Sequence, residues 1–366
     1  MPIYIEAHIA DLHFGAMDPR VQYEILREQF LSYISQMQVL DIVSINGDIF
    51  DHKFLANSDS IMYTNMFMQE LIGICAQKNT TLIILSGTAS HDAGQLKLFY
   101  HYIGQADIRI VEEASFIYVK GKKILVIPEL YNKGKVYYNN LLHELYDACY
   151  MHGTYKGSIY GKDIENLNSD REPVFSMNNF TGCKGPIISG HVHTAGCFNE
   201  HFYYCGSPYR WRFGEEEEKG FIILCHNTDT RQYFTHFEPI KSFRYDTINL
   251  DFMLQSDPQA VINYIKKKKD EGIDYIRIKF TQNNENLIPV LKSYYRTDPY
   301  IKIEANFKNE VMVKEVEKIN TENEQYSFIF DKSANPYEIL CKYINMKEQD
   351  TFITPEALIN LIEEEL

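Results

Sequence analysis

The chain has 366 residues, long enough for two or three domains, and 45% of them are apolar, enough for a substantial core. Its formal charge of −14 excludes a surface that grips nucleic acid all over, so any polyanion site must be local or supplied by metal ions or a partner. The seven cysteines form no CxxC pair and are odd in number, which fits reduced thiols in a cytoplasmic compartment rather than a disulfide framework. The opening Met-Pro-Ile-Tyr-Ile-Glu lacks a basic, then apolar, leader pattern. No stretch reaches the roughly 18 apolar residues of a membrane span, so neither a signal peptide nor a membrane partner is expected.

Residues 3–10 read as a first strand, running into Asp11-Leu12-His13. Asp18-Pro19 is an N-cap followed by proline at the first helical position, and Tyr23, Ile25, Leu26, Phe30, Tyr33 and Ile34 recur at helical spacing. Ile42, Val43 and Ile45 form a short buried strand. Gly47 then frees the chain to turn, and Asp48 and Asp51 follow. A second helix is expected from Asn57 or Ser58 to about Gln77, with its methionines as core filler. A strand over 81–85 leads into Gly87-Thr88-Ala89-Ser90-His91-Asp92. Strands over 108–111, 116–119 and 123–127 precede a helix over 138–148 and then Met151-His152-Gly153. Residues 155–179 are polar and aperiodic, the pattern of a loop or insertion.

A strand over 187–189 runs into Gly190-His191-Val192-His193, and further strands are expected over 202–205 and 220–225. The charge runs at 215–218 and 266–269 read as solvated faces. Alternation of strands and helices up to about 240 predicts a layered α/β domain. After it, Asp257-Pro258 opens a helix to about 269, with a strand over 273–280 and a further helix and strand over 287–295 and 300–307. Two short amphipathic helices are expected within 335–366, carried by Ile339, Leu340, Tyr343 and Ile344 and by Leu358, Leu361 and Ile362. Helices that short are marginal alone and must pack on something. The expected division is 1–240, a small α/β domain over 241–315, and a linker with C-terminal helices over 316–366.

Five strand ends carry metal-capable side chains: Asp11 with His13, Asp48, His91 with Asp92, His152, and His191 with His193. In an extended strand end, residues i and i+2 point the same way, so D-x-H and H-x-H pairs can aim both side chains at one site. Carboxylate oxygens with neutral imidazoles suit Mn²⁺, Fe²⁺ or Zn²⁺ better than Ca²⁺.

In their order, Asp11-x-His13, Gly47-Asp48-x-x-Asp51, Ser90-His91-Asp92, His152-Gly153 and Gly190-His191-x-His193 resemble the calcineurin-like metallophosphoesterases. The subgroup resembled is the SbcD-type double-strand-break repair nuclease, bacteriophage versions included. Tyr204-Cys205-Gly206-Ser207-Pro208 and the appended small domain point to it. The motif match covers residues 1–225. The resemblance implies a four-layer αββα sandwich with a smaller α/β capping domain and C-terminal helices. It implies two Mn²⁺ ions, with Mg²⁺, Fe²⁺ or Zn²⁺ as alternatives. Asp11, His13, Asp48 and His193 would hold the first ion. Asp48 would bridge to the second, held also by Ser90, His152 and His191. His91 would be the catalytic histidine and Asp92 would orient it, or else cap a helix. The family's run is Gly-Asn-His-Asp, so Ser90 stands where asparagine is expected. Either Ser90 or a water would fill that ligand position.

The function implied is a manganese-dependent DNA exonuclease and endonuclease working with an SMC-like, SbcC-type ATPase. It would be a homodimer through the helices over 17–37 and 57–78, in the cytoplasm (the host's, if phage-encoded). The alternatives are a phosphatase or cyclic-nucleotide phosphodiesterase, and a non-catalytic scaffold. Candidate DNA contacts are Arg210, Arg212, Arg277 and the lysines at 266–269.

Overall fold

Alternation along the first strand sets the layering. In β1 (Ile3–Ile9), Ala7 and Ile9 join one core cluster, while Glu6 and His8 turn to the opposite side. The structure, a computed structural model, describes residues 3–92, 94–158, 165–168, 172–250, 257–280 and 287–305. Asp18 caps α1 (Pro19–Ile25) by accepting from the Arg20 amide, and the helix continues through a π-helical stretch, Leu26–Leu31, into α2 (Ser32–Gln36). After β2 (Ile42–Asn46), Ser58 caps α3 (Asp59–Lys78), and Asn79 closes it in the left-handed conformation. β3 (Thr81–Leu85) and β4 (Asp107–Val111) follow, and β1 to β4 pair in parallel.

The second sheet begins with β5 (Ser115–Val119) and β6 (Lys122–Ile127). α4 (Lys135–Leu142) leads to β7 (Ala148–His152). β8 (Thr154–Tyr155) and β9 (Val174–Phe175) pair with each other, and β10 (Ile187–Gly190), β11 (Gly196–Cys197) and β12 (Phe202–Tyr204) complete the sheet. The chain then returns to the first sheet as β13 (Gly220–Asn227) and β14 (Gln232–Pro239). Their orders are β14-β13-β1-β2-β3-β4 and β11-β12-β10-β7-β6-β5. Ile42, Ile83 and Leu85 of the first sheet share a buried cluster with Ile124, Val126, Tyr150 and Ile188 of the second, so the sheets face each other. Leu26, Phe30, Phe67 and Leu71 pack on the outer side of the first sheet; Tyr138 and Leu142 pack on the outer side of the second. A separate all-parallel sheet holds β15 (Tyr245–Asn249), β16 (Tyr275–Phe280) and β17 (Ile301–Ala305), with α5 (Pro258–Asp270) and α6 (Leu287–Tyr294). The fold is thus mixed α/β, with parallel-rich sheets and six α-helices among the described residues.

Three expectations are corrected. The helix expected over 138–148 begins at Lys135 and stops at Leu142, because Ala148–His152 is a strand paired on both sides, to β6 and β10. Strands β14 and β15 add to those expected; β14 lies half-exposed at a sheet edge, so it lacks a clear apolar alternation. The aperiodic stretch 155–179 contributes β9 to a small parallel pair with β8. The helices expected within 335–366 lie outside the described residues. Six of the seven cysteines lie among the described residues, and those six are free thiols.

A polar cluster sits between the facing sheets. The Lys122 ammonium donates to Glu6 and lies 3.1 Å from the Tyr150 hydroxyl; His8 lies 3.2 Å from Glu6 and 2.6 Å from Ser44. Burial alone would raise the Glu6 carboxyl, but the Lys122 ammonium and the His8 ring hold it well below the usual carboxylate range. Glu6→Gln leaves the fully buried Lys122 charge unpaired, and is expected to cost about 3–5 kcal/mol. The double change Glu6→Gln with Lys122→Met should recover much of that. Denaturant unfolding of both variants checks the pair.

Candidate metal centre

The site lies where parallel strands end, the usual mouth of an α/β sheet. Asp11 and His13 follow β1, Asp48 follows β2, and Thr88 and His91 follow β3. Glu129 follows β6, His152 ends β7, and His191 and His193 follow β10. Asp11, His13, Asp48 and His191 all have positive φ, at 53°, 42°, 52° and 92°. For residues with a Cβ this is uncommon, and such strain concentrates at functional sites. The turns are held from outside: the Asp11 amide donates to Gly47 O and the His13 amide to Asp48 O, each at 3.0 Å. Gly47 has φ +85°, and a Cβ there would lie 2.3 Å from His152 Nδ1.

Four overlapping groups bring ligand atoms within 4.8 Å of one another: Asp11, His13 and His193; Asp11, Asp48 and His152; Glu129, His152 and His191; and His13, Asp51 and His91. In the first group, His13 Nε2 and His193 Nε2 lie 3.2 Å apart. His152 Nδ1 sits 2.7 Å from the Asn46 carbonyl, so that nitrogen carries the proton. His152 Nε2 is buried without a hydrogen-bond partner, 3.3 Å from Asp48 Oδ2 and 3.5 Å from Glu129 Oε2. A nitrogen facing two carboxylates calls for positive charge there, which a proton on Nε2 supplies and a metal ion would supply in its place.

Burial disfavours a charge on His152, yet Asp48, Asp11 and Glu129 outweigh it and hold its pKa well above the ordinary value. Asp48 is also buried, but His152 and His13 keep its carboxyl well below the usual range. Burial pushes His13 down to about 3, so it stands as the neutral imidazole a metal requires. Buried carboxylates and imidazoles in one pocket fit divalent first-row ions. The chain therefore holds His/Asp/Glu clusters suited to metal ions, and Asp11, His13, Asp48, His152, His191 and His193 all belong to them.

Ser90 does not join them. It is exposed on a turn, where the His91 and Asp92 amides both return to Thr88 O, at 2.9 and 3.0 Å. Thr88 meets Asp48 instead: its amide donates to Oδ1 at 2.6 Å, and its hydroxyl lies 3.1 Å from both Asp48 Oδ2 and Glu129 Oε2. Asp92 also departs from its expected role. Its oxygens accept from the amides of Ile49, Phe50 and Gly87 at 3.0, 3.2 and 2.9 Å, fastening the loops after β2 and β3 together. The ring of His91 is held through Nδ1 by the carbonyl of Asp51.

Two buried carboxylates beside these histidines escaped the sequence reading. Glu129 is buried beside His152 and His191. Its signal was its offset: it stands two residues past its strand, as Asp11 and Asp48 do. Glu215 is 5% exposed, although the run 215–218 reads as solvated; only residues 216–218 are exposed. Glu215 Oε1 lies 3.3 Å from His193 Nδ1 and 3.2 Å from Arg212 Nε, and Oε2 accepts from the Trp211 amide at 3.2 Å. A carboxylate on the far nitrogen of a ligating histidine fixes its tautomer and orientation. With His193 as a ligand, Glu215→Gln would weaken divalent-ion binding about 10–100-fold, read by calorimetric titration with Mn²⁺.

Of the expected DNA contacts, Arg212 lies at the rim, 3.4 Å from His193 Nδ1. The Arg210 guanidinium is spent on the carbonyls of Glu216 and Glu217. Arg277 bonds Thr247 and stacks over the Phe213 ring at 4.7 Å. Lys268 and Lys269 pair with Asp246 and Asp298 at 2.9 and 2.7 Å. Among the described residues no helix is long and apolar enough to cross a membrane.

No family model and no curated protein matches the sequence. Among solved structures, one resembles the chain at 11% identity and a TM-score of 0.40, covering 64% of this chain and 99% of its own. A second, described as a novel archaeal phosphodiesterase, resembles it at 13% identity and a TM-score of 0.30, with the same two coverages. Likenesses of this size carry no argument about chemistry.

Proposed function

We propose that the chain is a two-metal-dependent phosphodiesterase, on a four-layer αββα sandwich with a small capping domain, and that its substrate is DNA. The observation that carries this reading is the buried His152 Nε2, facing Asp48 and Glu129 beside the His13–His193 pair. When bound, two divalent ions supply a nucleophile at neutral pH and neutralise the phosphate's charge. The chain's own residues do the rest. Asp48, in reach of both His13 and His152, ties the two halves of the site together. Thr88 and Asp92 hold the loops so that Asp48 keeps that position. Through Asp51, His91 is held with its Nδ1 proton committed, leaving Nε2 to handle a proton at the leaving oxygen. Arg212, at the rim, suits a phosphate of the backbone, a contact that needs no base readout.

A DNA exonuclease and endonuclease acting with an SMC-like ATPase fits these features and the net charge of −14, since such a partner would bring cationic surface that this chain lacks. Docking through residues 335–366, and a homodimer, belong to the same proposal. The net acidity also suits the alternative, a phosphatase or cyclic-nucleotide phosphodiesterase. Incubating the full chain with Mn²⁺ and either linear DNA or p-nitrophenyl phosphate separates the readings. Loss of DNA supports the nuclease; turnover of the monoester alone supports the alternative; loss of neither leaves a scaffold.

A further inference from the structure

We propose that Glu129 is a direct ligand of the second ion, making that half of the site carboxylate-based. The inference rests on the two-metal reading above. Glu129 is pinned at the end of β6, where its amide donates to Ser86 O at 3.3 Å. Its two oxygens have separate tasks. Oε1 accepts from the Tyr131 hydroxyl at 2.6 Å, which fixes the rotation of the carboxylate. Oε2 is turned to the histidines, 3.1 Å from His191 Nδ1 and 3.5 Å from His152 Nε2. Thr88 Oγ1, 3.1 Å from Oε2, links this carboxylate to Asp48.

The second, independent observation is His152 itself. Its Nε2 is buried without a hydrogen-bond partner, 3.3 Å from Asp48 Oδ2 and 3.5 Å from Glu129 Oε2, and its Nδ1 is committed to the Asn46 carbonyl. An ion bonded to that Nε2 lies within reach of Glu129 Oε2, whereas Ser90 is exposed on the far side of its turn. The consequence is chemical. With Asp11, Asp48 and Glu129, the two ions sit among three carboxylates rather than two and a neutral oxygen. Added carboxylate character favours harder ions such as Mn²⁺ over those that prefer nitrogen or sulfur.

The test is Mn²⁺ stoichiometry and affinity of the full chain, by calorimetry and by the electron paramagnetic resonance of coupled manganese pairs. The wild-type chain should bind two ions, and Ser90→Ala should keep both. Glu129→Gln should lose the coupled signal and weaken one site by more than about 100-fold, beyond the range of outer-shell partners. Two ions bound with unchanged affinities in Glu129→Gln would overturn the assignment. A wild-type chain that binds one ion overturns the two-metal reading and this assignment with it, a failure the wild-type titration shows by itself. Should Glu129→Gln not fold, anomalous scattering at the manganese edge from wild-type crystals decides. A peak bonded to both Glu129 and His152 supports the assignment, and peaks without Glu129 contact reject it.

Discussion

Under the proposed function, Asp48→Asn is expected to abolish Mn²⁺-dependent phosphodiester cleavage, with a loss above about 10⁴-fold, more than the roughly 10²–10⁴ of an acid–base group. The size follows from what the residue touches. Asp48 Oδ2 lies 3.3 Å from His152 Nε2 and 3.7 Å from His13 Nε2, so one carboxylate serves both halves of the site. Asparagine keeps the shape and can keep the Thr88 amide bond to its oxygen. It removes the charge that would offset two neighbouring cations, and it can turn an N–H donor toward them. Both affinities should therefore fall together, unlike Glu129→Gln, where one survives. The measurement is cleavage of linear DNA in Mn²⁺ beside a manganese titration, with circular dichroism to confirm folding. Retention of more than a tenth of wild-type cleavage would remove Asp48 from the shared position.

The difference between these carboxylates also shows how much was legible in the sequence. Asp11, His13, Asp48, His191 and His193 announced themselves because they follow short apolar strands, each readable from its own residues, whereas His152 stood out by its Gly153 neighbour while its strand was not read. Glu129 follows Ile127-Pro128 with no glycine or second ligand nearby, and only its neighbours from β7 and β10 give it meaning. Glu215 was hidden inside a run of four acids whose other members are exposed; burial of one is a tertiary fact. Ser90 was misplaced because a two-residue turn carries it outward, leaving Thr88 as the residue of this loop that reaches Asp48 and Glu129, and turn geometry is weakly encoded in Thr-Ala-Ser. The same holds for the fold. Strands with apolar runs, such as β2, β3 and β10, were readable, whereas the half-exposed β14 depends on its pairing with β13. β7 reads Ala-Cys-Tyr-Met-His, buried throughout, and periodicity alone does not part such a run from a helix.

His91→Ala should retain both ions and slow the chemical step by about 10²–10⁴-fold. His91 meets the His13 ring edge-on at 4.7 Å between centroids, so it stands beside the metal pocket. It also joins His13 and Asp51 in one of the four ligand groups, which makes a ligand role the competing outcome. Its hydrogen bonding favours the proton-handling role. Nδ1 donates to the backbone carbonyl of Asp51, a partner that orients the ring and fixes its tautomer without adding charge. Asp92 does not supply that orientation, because its oxygens are taken by the amides of Ile49, Phe50 and Gly87. Two readouts separate the outcomes. If His91 donates a proton to the leaving oxygen, the variant keeps wild-type manganese affinities and loses only the rate of the chemical step. A diester with a much better leaving group, needing little protonation, should also recover most of the lost rate. If His91 is instead a ligand, calorimetry shows one site weakened, and the better leaving group gives no selective rescue.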